Sequence, residues 1–377
     1  MAEGERTRPR PGSGSVEIER VEVRAATVPT DAPESDGTLE WDRTTIVVVT
    51  AAAGGERGVG WTYADAAAAR LVRDALAPRV LGLDALDVES AWGLVTAAVR
   101  NLGRPGVAAM AVSAVDAALW DLKARLLGVP LARLLGRARE AVPAYGSGGF
   151  TSYGVERLVE QLGGWAAAGL RFVKMKVGRD AAVDPSRVRA AREAIGPGVG
   201  LFVDANGAYA RKQALALADA FAALGVTWLE EPVSSDDLDG LRLRRDRAPA
   251  GMDVAAGEYG FTPWYFRRML EAGAVDVLQA DATRCGGPTG FLRVAALCDA
   301  FQVPLSAHCA PQLHAHLCCA AARARHVEWF HDHARIERML FEGALQPERG
   351  LLRPDPSRPG LGVEPRWSEL ERYELRI

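Results

Sequence analysis

Three stretches decide the reading: LFVDANG (201–207), TWLEEP (227–232) and DVAAGE (253–258). Each is a short apolar or β-branched run ending in a carboxylate: Asp204, Glu230 and Glu258. Runs of that length and composition predict β-strands. The pattern continues on both sides. Upstream, FVKMKVG carries Lys174 and Lys176; downstream, VLQADATRCGG carries Asp281, PLSAHCAP carries His308 and RHVEWF carries Glu328. A lone acid at a strand end means little. Ionisable groups at the ends of successive strands predict one site assembled from many strands.

The predicted strands are 142–147, 170–177, 201–204, 227–231, 253–258, 275–281, 303–308 and 326–330. Amphipathic segments such as VERLVEQLGGWAAAG and RKQALALADAFAALG separate them. This alternation predicts an α/β fold, a modified (β/α)8 TIM-type barrel whose site lies at the carboxyl ends of its strands. Ahead of it, strands at 16–23, 44–50 and 59–63 and a helical region over 64–127 predict an α+β capping domain. The turn-rich segment Pro29–Asp42 reads as a surface loop. The expected division is a disordered leader (1–15), the cap (16–139), the barrel (140–340) and a tail (341–377) that returns to the cap.

Composition bounds the function. A chain of 377 residues with 49% hydrophobic and 25% charged residues has ordinary globular usage. A net charge of -3 gives no electrostatic basis for binding nucleic acid or an anionic membrane. No apolar run reaches the roughly 18 residues a membrane helix needs. The cysteines are odd in number, five, and lack zinc-finger spacing. They read as reduced thiols of a cytoplasmic protein, with Cys318 and Cys319 as small buried residues.

Three carboxylates on neighbouring strand ends suit a hard divalent cation, because Mg²⁺ prefers oxygen ligands and keeps positions open for substrate. The alternative is that each acid caps the helix that follows it. Lys174 and Lys176 are two apart on a strand, so they share a face. Two close ammonium groups lower the proton affinity of one of them, which makes a lysine usable as a base. His308 and Asp281 end adjacent strands, which permits a hydrogen bond that fixes the imidazole tautomer. Glu231 is expected on the other side of the strand from Glu230, neutralising a lysine. Arg284 and Gly286–Gly287 read as a structural turn. His314 and His316 read as packed residues, and His331 and His333 as possible borders of the substrate.

As a set, these motifs resemble the mandelate racemase subgroup of the enolase superfamily, and the resemblance covers nearly the whole chain. It implies Mg²⁺ on Asp204, Glu230 and Glu258, Lys176 as a base, and Lys174 holding a substrate carboxylate. It also implies His308 with Asp281 as the opposing base or acid and Glu328 donating a hydrogen bond to an enediolate. Asn206 is expected beside the metal or substrate, and Tyr145 and Ser147 against substrate. The implied partner is a small-molecule carboxylate, and a homo-oligomer is expected. The implied chemistry is removal of a proton next to a carboxylate. The favoured outcome is dehydration of an acid sugar to a 2-keto-3-deoxy acid, because it needs every member of the site. The cap segment PTDAPESDGTLEWD and the region of Trp61 and Tyr63 also suggest a polar mouth, which suits a polyhydroxylated acid. A racemase or epimerase of a 2-hydroxy acid is the alternative, and a non-catalytic binding barrel a remote one. A zinc hydrolase barrel is disfavoured, because the H-x-H pairs come late in the chain and not at the first barrel strand.

Overall fold

The computed structural model describes residues 14–377. Most of the expected leader, residues 1–13, lies outside the described residues. The antiparallel strands β1 (Arg20–Ser35), β2 (Glu40–Ala53) and β3 (Glu56–Tyr63) form one sheet in chain order. The two-residue period of β2 divides its side chains. Val47 and Val49 join a core with the cap helices, whereas Ile46 and Val48 join the core shared with the barrel. The helix Val107–Leu126 lies so close to β3 that a Cβ on Gly58 or Gly60 would sit 2.3 Å from the Ala118 backbone.

Two boundaries differ from the expectation. Pro29–Asp42 is a ribbon and not a loop: β1 runs to Ser35 and β2 begins at Glu40, with a register irregularity between Pro29 and Glu34. The intervening turn closes because Asp36 accepts the N–H groups of Thr38 (2.6 Å) and Leu39 (2.7 Å). The ribbon also bonds to the barrel, with Thr151 N–H donating to Ser35 O at 2.8 Å and Ser152 Oγ to Pro33 O at 2.7 Å. Those partners lie over 110 residues away, so turn propensity could not anticipate them. The predicted strand at 16–23 begins only at Arg20, because Val16 and Ile18 bond to Ala85 and Leu83 instead.

The barrel strands are β4 (Val142–Gly148), β5 (Phe172–Lys176), β6 (Gly200–Asp204), β7 (Val226–Glu230), β8 (Asp253–Ala256), β9 (Val277–Ala280), β10 (Leu305–Ala307) and β11 (Ala324–Phe330). They pair in parallel in chain order, and β11 pairs with β4 to close the ring. On β5, Val173 and Met175 join the core beneath the helices, while Phe172, Lys174 and Lys176 face inward. The interior is layered. Tyr145, Phe172, Phe202, Trp228 and His326 form an aromatic floor, with successive ring centroids 4.9–5.4 Å apart. The ionisable groups stand above it. The tail returns to the cap, where Thr27 N–H donates to Tyr373 O at 2.9 Å and Leu375 N–H to Ala25 O at 2.8 Å. No helix among the described residues is long and apolar enough to cross a membrane.

The close approach at β3 yields a test. Gly58→Val overpacks the sheet–helix contact and destabilises by about 1–3 kcal/mol or more. Gly164→Ala, whose Cβ meets open space in a helix, leaves the thermal midpoint unchanged or raises it. Equal midpoints for the Gly58→Val variant and the parent chain would refute the packing account.

Candidate active site

Strand register brings the acids together. Lys176 lies beside Asp204, and Asp204 beside Glu230, on adjacent strands. Glu258 follows β8 after Gly257, whose φ of +137° is closed to other residues and where a Cβ would come within 2.1 Å of Gln279 O. Only glycine permits this turn. Asp204, Glu230 and Glu258 are buried, and each offers an oxygen within 4.8 Å of the others. That convergence fits one cation. A further observation agrees: the buried Glu258 Oε2 has no hydrogen-bond partner among the described residues.

Both lysines are buried among these acids. Lys174 Nζ lies 2.5 Å from Glu230 Oε1, 2.8 Å from Glu328 Oε1 and 3.4 Å from Asp204 Oδ2. Lys176 Nζ lies 2.5 Å from Asp204 Oδ2 and 3.1 Å from Asn206 Oδ1. Asn206 N–H in turn donates to Asp204 Oδ1 at 3.0 Å. The expected fall in lysine proton affinity does not occur in this arrangement. Burial works in that direction, and so, for Lys176, does Lys174, but the carboxylates outweigh both and hold the lysines protonated. Burial, with the Asp204 charge next, pushes Glu230 up to about 8.

Across the barrel, His308 Nδ1 donates to Asp281 Oδ2 at 2.9 Å. Asp281 is fixed from behind, its Oδ1 accepting from Thr283 N–H and Oγ1, each at 2.7 Å. Burial opposes its charge, but His308 holds Asp281 well below the usual carboxylate range. Burial likewise opposes the imidazolium, yet Glu258 and Asp281 raise the His308 proton affinity above its ordinary value. His308 Nε2 is 3.4 Å from Glu258 Oε2, so the imidazole reaches the acid cluster. Lys176 and His308 come from β5 and the end of β10, on opposing walls.

Several residues sit otherwise than expected. Tyr145 belongs to the aromatic floor, its ring 5.4 Å below Lys174 Nζ, so it underlies the site and does not line its opening. Ser147 is buried one inward position higher, in register with Lys174, and its hydroxyl has no hydrogen-bond partner among the described residues. Glu328 accepts on both oxygens, from Lys174 at 2.8 Å and Cys309 N–H at 3.0 Å. An acceptor so engaged has no proton to donate, contrary to the expected role. Glu231 forms no ion pair with a lysine among the described residues: burial, then Glu258 and Asp204, push it well above the usual range, and the Lys176 charge offsets them only in part. Trp61 packs on Phe341 inside the core and so does not line a polar mouth. His333 stacks on Tyr63 at 3.4 Å and His331 pairs with Asp31 at 3.0 Å, so both join barrel to cap. His314 and His316, by contrast, are packed as expected: both are buried and accept from the Ala282 and Ala132 N–H groups.

Sequence reasoning missed two neighbours of the site. Arg284, read as part of a turn, lies 3.8 Å from Glu258 Oε1 and 3.6 Å from Asp281 Oδ2. Cys309 places Sγ 3.3 Å from His308 Nε2. Arg284 stands one short turn after Asp281 and Cys309 directly after His308, which was the available signal.

A closed parallel barrel with acids, lysines and a histidine–aspartate pair at its mouth defines an enzyme of the enolase superfamily, of the lyase or isomerase kind. The chain belongs to the mandelate racemase/muconate lactonizing enzyme family. Residues 17–136 match that family's N-terminal domain, and residues 157–369 match the enolase C-terminal domain-like family. It is 60% identical to a mandelate racemase/muconate lactonizing enzyme-like protein from Rubrobacter xylanophilus, with a TM-score of 0.94 over 95% of this chain and 100% of that one. It is 33% identical to 3,6-anhydro-alpha-L-galactonate cycloisomerase of Streptomyces coelicolor, over 96% of this chain and 99% of the relative. L-talarate/galactarate dehydratase of Salmonella typhimurium LT2, solved with Mg and L-lyxarohydroxamate, is 27% identical, with a TM-score of 0.89 over 98% of this chain and 95% of that one.

A cation that binds only the folded state stabilises it, by about 2.7 kcal/mol at a hundredfold excess over Kd. Saturating Mg²⁺ is therefore expected to raise the thermal midpoint of the parent chain, and Glu258→Gln to abolish most of that rise. An equal rise in both would remove Glu258 from the cation site.

Proposed function

We propose that this enzyme removes the proton next to the carboxylate of an acid sugar and expels the neighbouring hydroxyl as water, giving a 2-keto-3-deoxy acid. One observation carries the reading: three converging carboxylates stand between a buried lysine pair and a histidine–aspartate pair on the opposite wall. Mg²⁺ held by Asp204, Glu230 and Glu258 would supply Lewis acidity for charge developing on substrate oxygen, and its charge would take over the carboxylates that now hold both lysines protonated.

The chain's own groups divide the rest. Lys176 takes the α-proton, and Asn206, bonded to it, fixes its position. Lys174 holds the substrate carboxylate, where its ammonium charge offsets the second negative charge that deprotonation creates. Glu328 orients Lys174 through their ion pair. His308 gives its Nε2 proton to the departing hydroxyl, while Asp281 keeps the ring aligned through Nδ1. The α-carbon and its neighbour become an enol, which gains a proton at the neighbour to give the keto acid. Arg284 adds positive charge between Glu258 and Asp281. The buried, unpaired cysteines support a cytoplasmic setting.

Racemisation or epimerisation is the second reading, favoured by proton carriers on opposed walls. It shares the first step and differs in returning a proton to the same carbon from the other face.

A set of aldonates and aldarates incubated with the Mg²⁺-loaded enzyme in D₂O separates the two. The expected result is 2-keto acid formation that stops on chelation with EDTA and returns with Mg²⁺. Deuterium exchange without keto acid selects the second reading, and turnover that survives full chelation contradicts both. Lys176→Ala and His308→Ala are each expected to lower turnover by about 10²–10⁴-fold. Unchanged turnover in both variants would remove these assignments.

A further inference from the structure

A second set of donors converges beside the acid triad: His308 Nε2, Cys309 Sγ and a Glu328 oxygen, all within 4.8 Å of one another. It differs in kind from the triad, offering nitrogen, sulfur and oxygen in place of oxygen alone. A sharp bend creates it. Cys309 and Ala310 are both left-handed, with φ of +53° and +37°, a conformation non-glycine residues hold only where their surroundings impose it. The bend turns the Cys309 thiol onto the ring of its own neighbour at 3.3 Å, while its N–H holds Glu328 Oε2 at 3.0 Å. Asp281 accepts the hydrogen bond from Nδ1, which leaves Nε2 as the ring atom that faces the sulfur. A carboxylate behind the imidazole is the arrangement that orients histidine as a metal ligand and raises its basicity.

We propose that His308, Cys309 and Glu328 form a second, inhibitory site for a soft divalent cation such as zinc or cadmium, separate from the acid triad. Tetrahedral zinc, with bonds of about 2.3 Å to sulfur and 2.0–2.1 Å to nitrogen, separates those two ligands by about 3.5 Å. The observed 3.3 Å matches that spacing, while His308 Nε2 and Glu328 Oε2, 3.9 Å apart, would draw together slightly on binding. On binding, the thiol proton and the proton on His308 Nε2 both leave to solvent as the sulfur–metal and nitrogen–metal bonds form. His308 Nε2 and the Glu328 oxygen each donate a lone pair, and nothing is oxidised or reduced. Thiolate selects for soft ions, and Mg²⁺ avoids it, so the two sites divide cations by ligand hardness. An ion here occupies the nitrogen that the proposed reaction uses to move a proton, so it blocks catalysis. The inference stands on donor geometry and does not depend on which acid sugar is the substrate. The other four cysteines are buried, and among the described residues none belongs to such a cluster.

The test is a titration of the Mg²⁺-saturated full-length enzyme with Cd²⁺, following the thiolate-to-cadmium charge-transfer absorbance in the ultraviolet. The expected result is a band that saturates at a single equivalent, persists in Cys298→Ser and is lost in Cys309→Ser. Asp281→Asn, which withdraws the support behind the imidazole, is expected to weaken cadmium binding by about tenfold to a hundredfold. It decides the matter should Cys309→Ser fail to fold, since unchanged affinity in Asp281→Asn would overturn the proposal. A band that persists in folded Cys309→Ser overturns it, as does calorimetric binding without any band, which marks oxygen-only coordination.

Discussion

Mutual repulsion among buried carboxylates governs the barrel mouth. Asp204, Glu230, Glu231, Glu258, Asp281 and Glu328 are all buried there, against Lys174, Lys176 and Arg284. Two like charges 4 Å apart repel by about 4 kcal/mol at an effective dielectric constant of 20. The lysines relieve part of this at ion-pair distances of 2.5–3.4 Å. Burial, with the unrelieved Asp204 charge next, pushes Glu230 up to about 8. What keeps the acids together is the parallel register of β5, β6 and β7, since strand pairing fixes Lys176, Asp204 and Glu230 side by side. The aromatic floor beneath closes the interior, so the charged groups can project only toward the mouth.

The barrel was legible because its signals are local. A strand ending in a charged residue can be read one segment at a time, and the regular spacing of such strands predicts their ring. The grouping of the three acids and the pairing of His308 with Asp281 follow from which strand ends adjoin. The cap ribbon was not legible, because its extension to Ser35 depends on bonds to Thr151 and Ser152, far away in sequence. Tyr145 and Ser147 show a subtler limit. Alternation puts both inside the barrel, but not at which depth, and Tyr145 lies in the floor. For Glu328 the pattern gave the position and missed the direction of hydrogen bonding, because Lys174 and the Cys309 N–H already use both of its oxygens.

The mouth also separates two kinds of ligand chemistry within a few ångströms. Asp204, Glu230 and Glu258 offer only oxygen, while the left-handed bend after His308 brings a thiol to the imidazole. His308 joins them, lying 3.4 Å from Glu258 Oε2 and 3.3 Å from Cys309 Sγ. Over this mouth lies the cap, tied down by Tyr63 stacked on His333 and by the Asp31–His331 pair. The ribbon that carries Asp31 is therefore positioned to shape what reaches the acids.

The most direct measurement of the central claim is the anomalous scattering of Mn²⁺ diffused into crystals of the protein in place of Mg²⁺. A single strong peak bounded by oxygens of Asp204, Glu230 and Glu258 is the predicted outcome. Manganese absent from that position, or bound instead through His308 and Cys309, would contradict it.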